Sequence, residues 1–219
     1  MNVFDILGPV MIGPSSSHTA GAVRIGLISR GLLKNRPVKA DILLHGSFAR
    51  TYRGHGTDKA LIAGILGFEP DDIRIRNASE IAVKEGLSVR FRTGEIEDAH
   101  PNTARITLDD AASRSVTVTG SSIGGGNILI TDVNGLPVNF TGEMATLIVL
   151  HRDQPGVIAS VTGLLAESGV NICSFRLARK ERGGEAVMTI EIDGTADESL
   201  NQSVSGLPHI ISSTLLKPV

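Results

Sequence analysis

Aromatic side chains are scarce in this chain: they make up 3% of its 219 residues, tryptophan is absent, and Tyr52 is the only tyrosine. Without stacking platforms, and with a formal net charge of -2, the chain has neither of the features that draw nucleic acid, which argues against such a partner. Cysteine is equally scarce. Cys173 stands alone, so no intrachain disulfide can form, and no zinc or iron-sulfur site can be built from several thiolates of this chain. No uncharged apolar run approaches the ~20 residues needed to span a bilayer, and no basic-then-apolar leader opens the sequence, so no membrane is expected and the expected location is cytoplasmic. What is present is ordinary. Hydrophobic residues make up 41% and charged residues 20%, enough for one large core or two modest ones.

The last third is the most regular. A short apolar run, Leu147 to Leu150, is halted by Asp153-Gln154-Pro155-Gly156, as a buried strand would be. Val157, Val161, Leu164 and Leu165 then recur at helical spacing, and Gly169 suits a left-handed C-cap. Strict alternation follows on either side of Gly183-Gly184, with Cys173, Phe175 and Leu177 sharing one face, which predicts an antiparallel hairpin. A helix from Asp197 to Gly206, burying Leu200 and Val204, and a strand from Ile210 to Leu216 complete a βαββαβ order. That order is ferredoxin-like.

The earlier residues are less periodic and predict a mixed α+β domain. Thr19 to Leu33 reads as a close-packed helix rich in Ala and Gly, Lys39 to Leu44 as a strand, and Thr57 to Leu66 as a helix capped by Thr57. Alternating segments near Leu87–Arg92, Arg105–Leu108, Ser115–Thr119 and Ile128–Asp132 suggest antiparallel strands. Val138 to Ala145 reads as the linker. The expected domains are therefore 1–143 and 146–219.

Four polar loops carry chemistry. Gly13-Pro14-Ser15-Ser16-Ser17-His18-Thr19 precedes a helix, where hydroxyls and free N–H groups can hold a carboxylate or phosphate; the run also fits a helix cap, which needs only one serine. Gly54-His55-Gly56-Thr57-Asp58 sets an imidazole between glycines that permit close approach of a ligand; an idle exposed histidine is the alternative. His100-Pro101-Asn102-Thr103 fits a turn as well as a site. Ser122-Ile123-Gly124-Gly125-Gly126-Asn127 fits a hairpin turn or a bare backbone for a ligand or subunit, and lacks the strand-to-helix setting of a dinucleotide fingerprint.

Together these four segments resemble the motif set of bacterial iron-sulfur L-serine dehydratases, in the two-chain form where this would be the beta chain. The N-terminal domain also resembles the allosteric-substrate-binding domain of some phosphoglycerate dehydrogenases. Tyr52-Arg53 stand where smaller or Lys-containing residues are common in the family. The resemblance implies conversion of L-serine to pyruvate and ammonia, with iron of a [4Fe-4S] cluster acting as Lewis acid on the leaving hydroxyl. One cysteine cannot hold that cluster, so a separate alpha subunit would, with no metal ligand from this chain. The resemblance assigns the α-proton to His55, with His18 in reserve. It places Ser15, Ser16, Ser17, Thr19, Thr57, Asp58, His100 and Asn102 around the substrate.

His151-Arg152-Asp153-Gln154-Pro155-Gly156 and Gly169-Val170-Asn171-Ile172 are similar to the serine-binding ACT modules of phosphoglycerate dehydrogenase. The implied effector site uses His151, Asp153, Gly156, Asn171 and Ile172, with Asp153 on the ammonium side, L-serine or a related amino acid as ligand, and self-association through the ACT domain. A stand-alone amino-acid sensor without catalysis is the competing reading. A phosphoglycerate dehydrogenase fragment conflicts with the missing nucleotide-binding unit.

Overall fold

A computed structural model of the chain describes residues 11–13 and 15–219; Pro14 of the first polar loop lies outside the described residues. The chain divides between Asn134 and Gly135 into two units.

The first unit contains helix α1 (Ala20–Leu33), strand β1 (Pro37–Leu44), and helices α2 (Gly46–His55) and α3 (Thr57–Leu66). A 3-10 turn (Ile73–Asn77), helix α4 (Ala78–Lys84) and strands β2 (Ser88–Thr93), β3 (Thr103–Asp110), β4 (Ser115–Gly124) and β5 (Asn127–Val133) follow. Its strands run in the order β2-β1-β3-β4-β5. The sheet is not wholly antiparallel as the alternation suggested: β2 pairs with β1 in parallel, from Lys39 opposite Ser88 to Leu44 opposite Thr93. The crossover through α2, α3 and α4 makes this possible, because parallel neighbours need a long connection.

Helix α1 lies on β3 and β4 and buries Val23, Ile25 and Ile28, each removing enough apolar surface to contribute ~1.5–3 kcal/mol. Against α3 it packs by backbone. A methyl group at Gly26 would stand 2.6 Å from the Leu61 carbonyl, and one at Gly64 would collide with the Val23 carbonyl. Gly26 lies early in α1, which begins at Ala20, and Gly64 late in the shorter α3, which begins at Thr57. The two helices begin side by side. On the other flank Gly21 leaves room for Ser122 of β4, whose hydroxyl a methyl would strike.

Helix α2 went unrecognised in the sequence. His55 is its last residue, not a member of an open loop, and only Gly56 takes the left-handed conformation (φ 72°), with its N–H bonded to the Tyr52 carbonyl. Thr57 is the first helical residue of α3 instead of its cap, because Gly56 occupies the cap position.

The second unit opens with β6 (Leu136–Phe140), whose alternating Leu136, Val138 and Phe140 are buried where a linker was expected. Then come β7 (Ala145–Arg152), α5 (Val157–Glu167), β8 (Ile172–Arg179), β9 (Glu185–Ile192), α6 (Glu198–Ser205) and β10 (Ile210–Leu216). The sheet order is β10-β7-β9-β8, with every neighbouring pair antiparallel, as a ferredoxin-like βαββαβ unit requires. Its core joins Leu147 and Val149 of β7, Val161 and Leu165 of α5, Met188 and Ile190 of β9, and Val204 of α6. Asp197 caps α6 by accepting the Leu200 N–H at 3.1 Å. A bulge lies between Ile172 and Ser174 of β8, and Cys173, Phe175 and Leu177 are all exposed, Phe175 and Leu177 standing opposite Ile190 and Met188.

Two Gly→Ala substitutions should act with opposite sign. Gly64→Ala forces α1 and α3 apart and should lower stability to urea by ~1–3 kcal/mol. Gly163→Ala in α5 meets nothing within 4 Å and should raise it by about 1 kcal/mol through helix propensity alone.

Candidate functional site

The shared starting end of α1 and α3 brings His18 and His55 together. Their ring centroids are 4.8 Å apart, edge to face. His18 is buried in the turn before α1, and its ring also meets Phe48 of α2 at 5.3 Å. Ser15 Oγ lies 3.4 Å from its Nδ1 and Ser47 Oγ 3.4 Å from its Nε2. Both contacts are long for hydrogen bonds, so packing, more than bonding, holds the ring. His55 is exposed. One imidazole is thus a wall and the other faces outward.

Burial holds His18 below its ordinary value of 6.5, and the neighbouring His55 lowers it further, because a second positive charge beside the first is unfavourable. His18 is therefore neutral at pH 7.

Around the pair, hydroxyls that could cap the helices do not. Thr19 is the N-cap residue of α1, yet it makes no side-chain cap bond, and its Oγ1 is buried without a partner. Thr57 Oγ1 is likewise buried and unpartnered, at the first residue of α3. Leaving a buried hydroxyl unsatisfied costs roughly 1–3 kcal/mol, so such groups mark places where a ligand would be accepted. Ser15, Ser16 and Ser17 are half-buried in the same turn. Two helix N-termini add partial positive charge.

The third polar loop braces the site by its backbone. The Pro101 carbonyl accepts the Ser47 N–H at 2.7 Å, and Gly46 (φ 56°) leaves no room for a side chain against Pro101. Asn102 Oδ1 is buried without a partner, while the Asn102 carbonyl accepts the Ser122 N–H at 2.9 Å. His100 turns elsewhere. It lines a separate cavity with Arg105, Thr119 and Ser121, and its Nδ1 accepts the Asn102 N–H at 3.1 Å. Asp58 also faces away, into a cavity with Tyr52 and Arg53. The Gly124–Gly126 turn, all left-handed, is tied to α1 by Arg24 Nη1, which donates to the Gly126 carbonyl at 2.8 Å. Ser47 and Phe48 escaped sequence analysis because they lie in the unrecognised helix α2.

Among the described residues no group of three or more His, Cys, Asp or Glu is placed to hold a metal ion, so the residues here do not fit a cluster site. No described helix is long and apolar enough to cross a membrane.

In the second unit the expected effector residues fall at opposite ends of one hairpin. His151 is buried, and its Nδ1 donates to the Arg152 carbonyl at 2.8 Å, leaving Nε2 without a partner. Asp153 Oδ2 accepts from Arg179 at 2.6 Å and from the Gly183 N–H at 3.0 Å. The Gly183 bond first, then Arg179, holds that carboxyl below its ordinary value. Gly156 is the left-handed cap of α5 (φ 91°). Asn171 and Ile172 stand at the far end of β8, where Asn171 donates to Asp193 at 2.5 Å. The eight residues of β8 separate the ends by roughly 25 Å. Within one copy the two halves do not meet.

Comparison with known proteins agrees with this architecture. A family model described as AHAS small subunit-like ACT domain matches residues 147–212, and one described as serine dehydratase beta chain matches residues 2–84. The second unit thus contains an ACT domain, and the serine dehydratase beta-chain match falls in the first. The probable L-serine dehydratase beta chain of Bacillus subtilis (strain 168) is 46% identical over 97% of this chain and 96% of its own length. The L-serine dehydratase beta chain of Peptoniphilus asaccharolyticus is 42% identical, with the same coverage of both chains. A D-3-phosphoglycerate dehydrogenase of Bacillus subtilis (strain 168) is 26% identical over 89% of this chain, but only 37% of the dehydrogenase is covered. The chain belongs to the L-serine dehydratase beta-chain family.

The lowered value of His18 fixes the sign of one pH effect. As pH falls below 6.5 the unfolded chain takes up the proton first, so the stability present above 6.5 is lost as pH falls through the lower folded value. Between about pH 8 and about pH 5 the wild type should lose more stability than His18→Gln, measured by urea midpoints.

Proposed function

We propose that this chain is the proton-handling half of an L-serine ammonia-lyase, working with a separate alpha chain that carries the [4Fe-4S] cluster. The observation that carries this reading is the His18–His55 pair at the joint start of α1 and α3, beside two buried, unpartnered threonine hydroxyls. An amino acid offers what such a place lacks: a carboxylate for the N–H groups and hydroxyls, and an acidic α-hydrogen for an imidazole.

In this reading Thr19 and Thr57, with Ser15, Ser16 and Ser17, hold the carboxylate of L-serine. His55 takes the α-proton, the Cβ–O bond breaks, and the leaving hydroxyl accepts that proton from His55 to depart as water. The resulting enamine shifts to an imine, which hydrolyses to pyruvate and ammonia. His18 stays neutral behind His55 and keeps its ring in place. Asn102 closes the pocket from the β3 side. His55 is exposed in this chain alone, which suits a site completed by the cluster-bearing partner. The assembly would act in the cytoplasm.

The ACT domain, in the same reading, binds L-serine or a related amino acid between two copies. His151, Asp153 and Gly156 of one copy would face Asn171 and Ile172 of the other, which supplies a reason for their separation within one chain. Edge strand β8 supports such pairing, with Phe175 and Leu177 exposed beside it.

Reconstitution with the alpha chain under anaerobic conditions tests the proposal. His55→Ala should cut pyruvate release by about 100-fold or more with assembly intact, and near-normal release would remove His55 from the role of base. Asn171→Ala should flatten the response of turnover to added amino acid while leaving the unliganded rate in place. An unchanged response would mean that the ACT pocket is idle.

A further inference from the structure

Residues of α2, α3, α4 and β2 line a cavity of about 390 Å³, within the range of small-molecule sites. Seven of its ten lining residues are apolar or aromatic. Tyr52 and Phe91 stack at 5.8 Å along one wall, Val89 extends it, and Val83 stands 77% exposed at the rim. Two opposite charges interrupt this surface. Arg53, in the last turn of α2, lies over the Tyr52 ring at 5.5 Å, and Asp58, in the first turn of α3, has Oδ1 buried without a hydrogen-bond partner. No ion pair joins them among the described residues.

We propose that this cavity is a second binding site, for a free α-amino acid with an apolar side chain. Asp58 Oδ1 is a desolvated acceptor that needs a donor, and an ammonium group is the strongest one available. Arg53 meets the carboxylate. Tyr52, Phe91, Val89 and Val83 cover the side chain, a surface that rewards leucine over serine. Opposite charges at one mouth select a zwitterion over an amine or an acid alone. The site is independent of the serine chemistry, since neither His18 nor His55 lines it. It is nonetheless coupled to that chemistry by position: Arg53 and Asp58 bracket the turn that ends α2 at His55, so a ligand bridging them clamps that turn.

Tyr52 is the only tyrosine and tryptophan is absent, so intrinsic emission reports on the cavity wall. The purified full-length chain is titrated with L-leucine, leucinamide, 4-methylpentanoate and L-serine, following emission and, in parallel, equilibrium dialysis of labelled L-leucine. Saturable binding of L-leucine is expected, with the other three compounds about tenfold weaker or worse. Asp58→Asn should weaken L-leucine by a similar factor, and Val83→Arg, at an exposed position, should remove binding with an unchanged circular dichroism spectrum. Three results each overturn the proposal: no bound L-leucine in dialysis, binding that survives Val83→Arg, or L-serine matching L-leucine.

Discussion

The N-terminal site depends on the backbone contact between α1 and α3 at Gly26 and Gly64. Side chains at those positions would hold the axes apart by the width of a methyl group or more, and the segments that precede each helix would separate with them. Because the glycines lie six and seven residues into their helices, the close crossing stands at a similar distance from both helix starts, where His18 and His55 approach to 4.8 Å. Gly21 extends the same logic to β4, letting Ser122 press against α1. Small residues in α1 are therefore positional devices. Helix propensity alone would favour alanine at every one of them.

What this closeness creates is polar surface that the protein does not satisfy by itself. Thr19, Thr57, Asp58, Asn102 and Ser122 each keep a buried oxygen without a partner. A fold tolerates such a concentration where something else completes it. The two histidines differ by burial: His18 is walled in by Phe48 with its pKa lowered, and His55 ends α2 in the open. Desolvation, not a specific hydrogen bond, is what distinguishes them.

The ACT domain follows a different principle. Its core of aliphatic residues is complete within one copy, and its polar loop residues are satisfied locally, as Asp153 is by Arg179 and Gly183. The antiparallel register of β8 on β9 then places Asn171 and Asp153 at opposite ends of the hairpin. No site within one copy can use both halves.

The ACT domain was legible in the sequence because its information is local. Alternation of period two, helical spacing from Val157 to Leu165, the cap at Asp197 and the left-handed Gly169 each act within a few residues, and the structure has each where the pattern set it. The four polar loops stood out in the sequence as clusters of hydroxyls, histidines and glycines. Which of them meet was decided only by tertiary structure. Helix α2 has few apolar residues to announce it, with Phe48 alone buried, and strand β2 joins β1 in parallel through a crossover of some forty residues. Likewise His100 and Asp58 turn to other cavities while Ser47 arrives beside His18 from a helix that no local signal marked. Periodicity records how a segment buries its own face; it carries no record of which distant backbone that face will touch, and here two glycine contacts made that choice.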